Sequence, residues 1–155
     1  MLAYLSGSIE FADDGGKAWR RELTPFLRQT LGHHVYDPAE DERKNLTEEE
    51  VAHFRAWETA DPERFRQTVR KIIQWDMDFI EQKADYVICY WGSSSAGTAA
   101  ELTAAYRRGI PVYLVTELSA GEISGWVLGC AERVFASFDE LKTFLLWEYG
   151  RTATR

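Results

Sequence analysis

The chain has 155 residues, 45% hydrophobic and 14% aromatic, which is enough for one globular domain with its own core. Eighteen Lys and Arg against 25 Asp and Glu leave a net charge of −7, which argues against a nucleic-acid polymer or an anionic membrane surface as partner. Cys89 and Cys130, with no dense spacing and no leader-like segment, read as reduced thiols of a cytoplasmic protein, and no apolar run approaches the ~18 residues of a membrane span.

Met1 to Leu5 is a short apolar run, read as a strand that ends in a Ser6-Gly7-Ser8 turn. Trp19, Leu23, Phe26, Leu27 and Leu31 recur at helical spacing from Lys17 to Leu31; Gly32 stops the helix and Pro25 predicts a kink or a late start. His34 to Asp37 is a second strand, closed by Pro38, and Glu40 to Asn45 a charged loop. Thr47 before Glu48-Glu49-Glu50 is an N-cap signature for a helix to about Trp57. Asp61-Pro62-Glu63 starts another, which carries Phe65, Val69, Ile72, Ile73, Asp76, Phe79 and Ile80. Strand 85–91, helix 98–108, strand 111–115, a loop with a helical turn over 119–130, strand 133–136 and a helix from Phe138 to Tyr149 follow.

Strand and helix alternate throughout. The expected fold is therefore α/β: a single-domain, doubly wound, flavodoxin- or Rossmann-like parallel sheet of about five strands with helices on both faces, over residues 1–150. Residues 151–155 are expected to be a disordered tail. Ligands of such sheets bind beyond the carboxyl ends of the strands, at the topological switch point.

Three features carry chemistry. Glu101 sits about one turn into the helix that follows the Gly92–Gly97 loop, among small residues that permit close approach; the helix dipole is expected to keep it ionised, as a nucleophile requires. Asp76 shares the apolar stripe of Ile72 and Ile80, so it should hold a proton unusually well and could donate it; an ion pair with an Arg such as Arg70 is the structural alternative. The Ser93-Ser94-Ser95-Ala96-Gly97 loop could cradle a phosphate through backbone N–H groups and hydroxyls, although it has no Walker sequence. His33 and His34 lack partners at ligand spacing, so no metal is expected.

Taken in order, Tyr4-Leu5-Ser6-Gly7-Ser8-Ile9, Val35-Tyr36-Asp37-Pro38, Asp76-Met77-Asp78-Phe79-Ile80, Asp85-Tyr86-Val87-Ile88 and Gly97-Thr98-Ala99-Ala100-Glu101-Leu102 resemble the nucleoside 2-deoxyribosyltransferases and the related 2′-deoxynucleoside 5′-monophosphate N-glycosidases. The resemblance runs from residue 1 to about 146. It implies Glu101 as the nucleophile, Tyr4 as the group that orients it, and Asp76 as the acid that handles the proton on the base. Gly7, Ser8, Ile9, Asp78, Ser95 and Gly97 would contact substrate. A covalent deoxyribosyl ester on Glu101 would then pass to a second nucleobase or to water, without metal or organic cofactor.

One position departs from the transferases: six residues before the nucleophile they carry a sugar-binding Asp, and this chain has Ser95. The monophosphate glycosidases resemble it there, but Glu10-Phe11-Ala12 and Asp13-Asp14 replace their Gly/Arg-rich phosphate loop. Transfer is the leading expectation, hydrolysis of a 5′-monophosphate the second, and a non-catalytic nucleotide-binding module the third. The implied partners are a small nucleoside or nucleotide, a free nucleobase and further copies of the chain. Trp126 and the Gly121–Gly129 segment are the candidates for a lid or subunit contact.

Overall fold

The computed structural model describes residues 1–10 and 12–150; the expected tail at 151–155 lies outside them. Five strands form one all-parallel sheet: β1 (Leu2–Gly7), β2 (His34–Tyr36), β3 (Tyr86–Tyr90), β4 (Val112–Val115) and β5 (Arg133–Phe135). Their order is β2-β1-β3-β4-β5, the flavodoxin-type winding, which puts the switch point between β1 and β3. Pairing of Tyr4 with Val87, Ser6 with Cys89 and Gly7 with Tyr90 sets the register there.

The helices are α1 (Lys17–Pro25), α2 (Glu48–Ala60), α3 (Pro62–Lys83), α4 (Ala96–Arg107), α5 (Gly125–Cys130) and α6 (Phe138–Tyr149). Strand alternation divides the core between the two faces. Ala3, Leu5, Tyr86 and Ile88 pack with Trp19 and Leu23 of α1 and Leu141 and Leu145 of α6. Tyr4, Val87 and Cys89 pack with Ile80 of α3, Leu102 and Ala105 of α4, and Val127 and Cys130 of α5. Each half is buried on folding, and the near-continuous apolar strands follow from that.

Several boundaries differ from the sequence expectation. β1 runs on to Gly7, so Ser6 is a strand residue and not part of a turn: its backbone pairs with β3, whose neighbouring ladder outweighs the turn preference of Ser and Gly. The helix carrying Glu101 starts at Ala96, two residues earlier, because Ser95 is its N-cap: the Ser95 hydroxyl accepts from the Thr98 N–H. The expected kink at Pro25 takes the form of a widened π turn over Phe26–Thr30, where Leu31 N–H reaches back to the Phe26 carbonyl. The Thr47 cap is a complete capping box with Glu50, and α2 runs to Ala60. Among the described residues no helix is long and apolar enough to cross a membrane.

Candidate active site

Period-two alternation along β1 turns Tyr4 and Ser6 to the same side of the sheet, the side covered by α4. Both hydroxyls meet Glu101 there. Tyr4 Oη donates to Glu101 Oε1 at 2.8 Å, and Ser6 Oγ donates to Oε2 in a shorter contact. One carboxylate thus accepts a hydroxyl on each oxygen, from two residues of one strand almost a hundred positions away in sequence. Two donors fix the plane of the group and leave it little rotational freedom. Ser6 was not among the residues expected at the site; its spacing of two from Tyr4 was the available signal, hidden by reading it as a turn.

The dipole argument for an ionised Glu101 does not survive. Glu101 is the sixth residue of α4, past the first turn in which the dipole acts, and burial pushes its carboxyl from the ordinary 4.5 up to about 7. The Ser6 and Tyr4 hydrogen bonds and the charge of Lys44 pull it back; the charge of Asp76 adds to the rise. Tyr4 is fully buried, and desolvation followed by the charge of Glu101 holds its phenol well above the usual range, so it donates and does not ionise.

Asp76 is buried on α3, and desolvation raises its carboxyl, as its place in the apolar stripe predicts. Its partner is Lys44 from the loop after β2, not Arg70 of its own helix. The ammonium lies 2.8 and 2.6 Å from the two carboxylate oxygens. Asp41 anchors the loop: its Oδ2 accepts from Tyr36 Oη at 2.8 Å and Trp75 Nε1 at 3.2 Å, and its Oδ1 from the Lys44 N–H at 3.0 Å. The rings of Tyr36 and Phe79 stack at 3.7 Å, with Tyr4 5.4 Å from Tyr36. The charge of Asp76 raises the affinity of Glu101 for a proton, and the charges of both acids raise that of Tyr4. Neither Lys44 nor Asp41 stood out in the sequence, because a loop of alternating charge normally faces water.

The other expected contacts are placed as follows. Gly7 ends β1, and a Cβ there would come within 3.0 Å of the Tyr90 carbonyl, so no side chain fits without displacing β3. Ser8 and Ile9 are half-buried in the loop beyond it. Gly97 lies exposed in the first turn of α4; a Cβ would meet nothing within 4 Å, so packing does not require glycine there. Asp78 is two residues beyond Asp76 and its carboxylate accepts from Gln74 of its own helix at 2.8 Å. Asp14, in the segment that departs from a phosphate loop, caps α1 by accepting from the Gly16 and Ala18 N–H groups at 2.7 Å each.

Another residue that the sequence did not single out shapes the crest. Arg20 is fully buried on α1; it donates to the carbonyls of Gly16 at 2.6 Å and Gly7 at 3.0 Å, and its Nε lies 3.2 Å from Asp37. Burial lowers its affinity for the proton and raises that of Asp37, while the attraction between them opposes both shifts. Gly16 takes φ +68, and a Cβ there would fall 2.3 Å from both the Ser8 carbonyl and the Arg20 guanidinium, so glycine is required. Among the described residues no group of His, Cys, Asp and Glu is arranged to hold a metal ion.

No protein-family model matches the sequence, and no curated protein matches it either. Solved structures do match its fold. One is a 2-deoxyribosyltransferase from the psychrotolerant bacterium Bacillus psychrosaccharolyticus, a biocatalyst for the synthesis of nucleosides: 22% identity over 92% of this chain and 90% of that one, TM-score 0.60. Another is a conserved protein from Enterococcus faecalis V583: 16% identity over 92% of this chain and 95% of that one, TM-score 0.60. At these identities the likeness is one of fold, over nearly the whole of each chain.

Proposed function

We propose that this chain is a nucleoside 2-deoxyribosyltransferase, in which Glu101 attacks the anomeric carbon of a 2′-deoxynucleoside. The observation that carries the reading is the Glu101 carboxylate held by Tyr4 and Ser6 at the β1/β3 switch point, near enough to Asp76 to feel its charge. In its ionised form Glu101 forms the ester bond to the sugar carbon as the N-glycosidic bond breaks. Asp76 gives a proton to the departing base. A second base, deprotonated by Asp76, then displaces Glu101 and forms the new N-glycosidic bond. The two hydroxyls keep the nucleophile's geometry fixed through both steps. Gly7, Ser8, Ile9, Asp78, Ser95 and Gly97 contact the sugar and base in this reading, with no metal or organic cofactor, and residues 1–150 act as one domain. The fold shared with a 2-deoxyribosyltransferase supports it.

Ser95 in place of an acid favours a second reading, hydrolysis of a (deoxy)nucleoside 5′-monophosphate on the same nucleophile, since one less negative charge eases entry of a phosphate. Chromatography of products from deoxyinosine or thymidine, with and without an acceptor base, separates the two. A new deoxynucleoside supports transfer; free base and sugar irrespective of acceptor, with activity confined to the 5′-monophosphate, supports the hydrolase. Binding without any turnover leaves a nucleotide-binding module. The reading also includes a cytoplasmic homo-oligomer, with Trp126 at a subunit contact: its indole is 67% exposed, and its Nε1 donates to Thr103 Oγ1 at 2.8 Å.

A further inference from the structure

Lys44 has no part in the reaction as just described, yet its placement is built from several independent contacts. Its ammonium bridges both Asp76 oxygens, with each side chain only 11% exposed. Its backbone N–H is held by Asp41, and Asp41 is in turn held by Tyr36 and Trp75. Its φ of +41 is uncommon for a side chain of this kind, so the loop commits a strained residue to the position. A flexible lysine fixed at both ends has given up most of its rotamer freedom against a single ion pair.

The groups around it come from every neighbouring element. Asp37 and Asp41 lie on the β2 side, Asp76 on α3, Glu101 on α4 and Tyr4 on β1; Arg20 offsets Asp37. The attraction of Lys44 favours the ionised form of Asp37, Asp76 and Glu101, and most directly that of Asp76, which it touches. The reaction needs the opposite at Asp76, a proton to give. We propose that Lys44 is a positioning residue that keeps Asp76 ionised and aligned in the resting site, sets the pH range of the reaction, and must release the carboxylate before Asp76 can serve the departing base. In the first half-reaction the proton passes from Glu101, which becomes the nucleophile, to Asp76 and on to the departing base, and the incoming base returns it in the second. No outside co-reactant is required.

This inference rests on the transferase reading, and its test separates the two. Side-chain carboxyl ¹³C NMR titration of the ligand-free protein reports Asp76 and Glu101 without turnover. In Lys44→Met the Asp76 midpoint is expected to rise by at least about 1 pH unit, and that of Glu101 by less; Lys44→Arg should restore the lower values. Lys44→Gln gives the same comparison should the Met variant fold poorly. In kcat/KM against pH with deoxyinosine, both limbs should move to higher pH in Lys44→Met, a change that mere loosening of the loop would not produce. An unmoved Asp76 midpoint, or a lower rate with unmoved limbs, overturns the proposal. Absence of turnover in the wild type would remove the transferase reading, while the titration would still decide whether Lys44 holds Asp76.

Discussion

Glu101→Gln should stabilise the protein while abolishing its chemistry. The Glu101 carboxyl is raised from 4.5 to about 7 because burial penalises the charged form more than the Tyr4 and Ser6 hydroxyls relieve it. Between those two pH values the folded protein holds a proton that the unfolded chain has already lost, so stability falls as pH rises across the window. At roughly 1.4 kcal/mol per pH unit the loss is on the order of 3 kcal/mol once Glu101 is fully ionised. A neutral amide of the same shape avoids it. Urea or thermal denaturation of wild type and variant from pH 4 to 8 should show similar stability near pH 4, then a gap that opens above about pH 4.5 and levels off above about pH 7. For a domain of this size that gap corresponds to a Tm difference of about 5–10 °C. Asp76 and Asp37 are present in both proteins, so their own titrations largely cancel. A difference that stays flat across the range would refute the claim that desolvation of Glu101 dominates its environment.

Tyr4→Phe and Ser6→Ala each remove one donor to a charged acceptor, so each should lower kcat/KM by about 10- to 100-fold and move the acidic limb to higher pH; steady-state kinetics with an unmoved limb would contradict the pairing. Arg20→Met leaves the Gly7 and Gly16 carbonyls without their donor and Asp37 without its counter-charge. It should cost about 3–5 kcal/mol in urea denaturation, and a loss below about 1 kcal/mol would show that the buried cation is not holding the crest together. Light scattering should give a multiple of the mass of the 155-residue chain, reduced to that of one chain by Trp126→Asp. A wild-type monomer would remove the subunit-contact role of the exposed indole.

The sheet and its helices are legible because their signals are local and repeated. The apolar runs expected as strands at 85–91 and 111–115 are strands over Tyr86–Tyr90 and Val112–Val115, and the helix expected from Phe138 to Tyr149 has those bounds. The two acids were legible for a different reason: each breaks the pattern of its own helix, Asp76 within an apolar stripe and Glu101 among small residues. Their partners were not. Lys44, Asp41 and Arg20 acquire their roles from partners on other elements, such as Asp76, Trp75 and Gly7 at separations of 32, 34 and 13 residues, and their types are the commonest on any surface. Ser6 fell between the two cases: the Ser-Gly pair carries a turn preference that strand pairing with Cys89 overrides. The charge state of Glu101 was misread since the dipole is a first-turn effect and the cost of burial depends on the packed structure.

Whether a covalent bond forms at Glu101 decides the account most directly. Wild-type protein incubated with a 2′-deoxynucleoside without acceptor base, quenched in acid and digested, should yield by mass spectrometry a peptide carrying one deoxyribosyl group on Glu101, absent from Glu101→Ala. Turnover that persists in Glu101→Ala, or that proceeds in the wild type with the sugar never attached to that peptide, would contradict it.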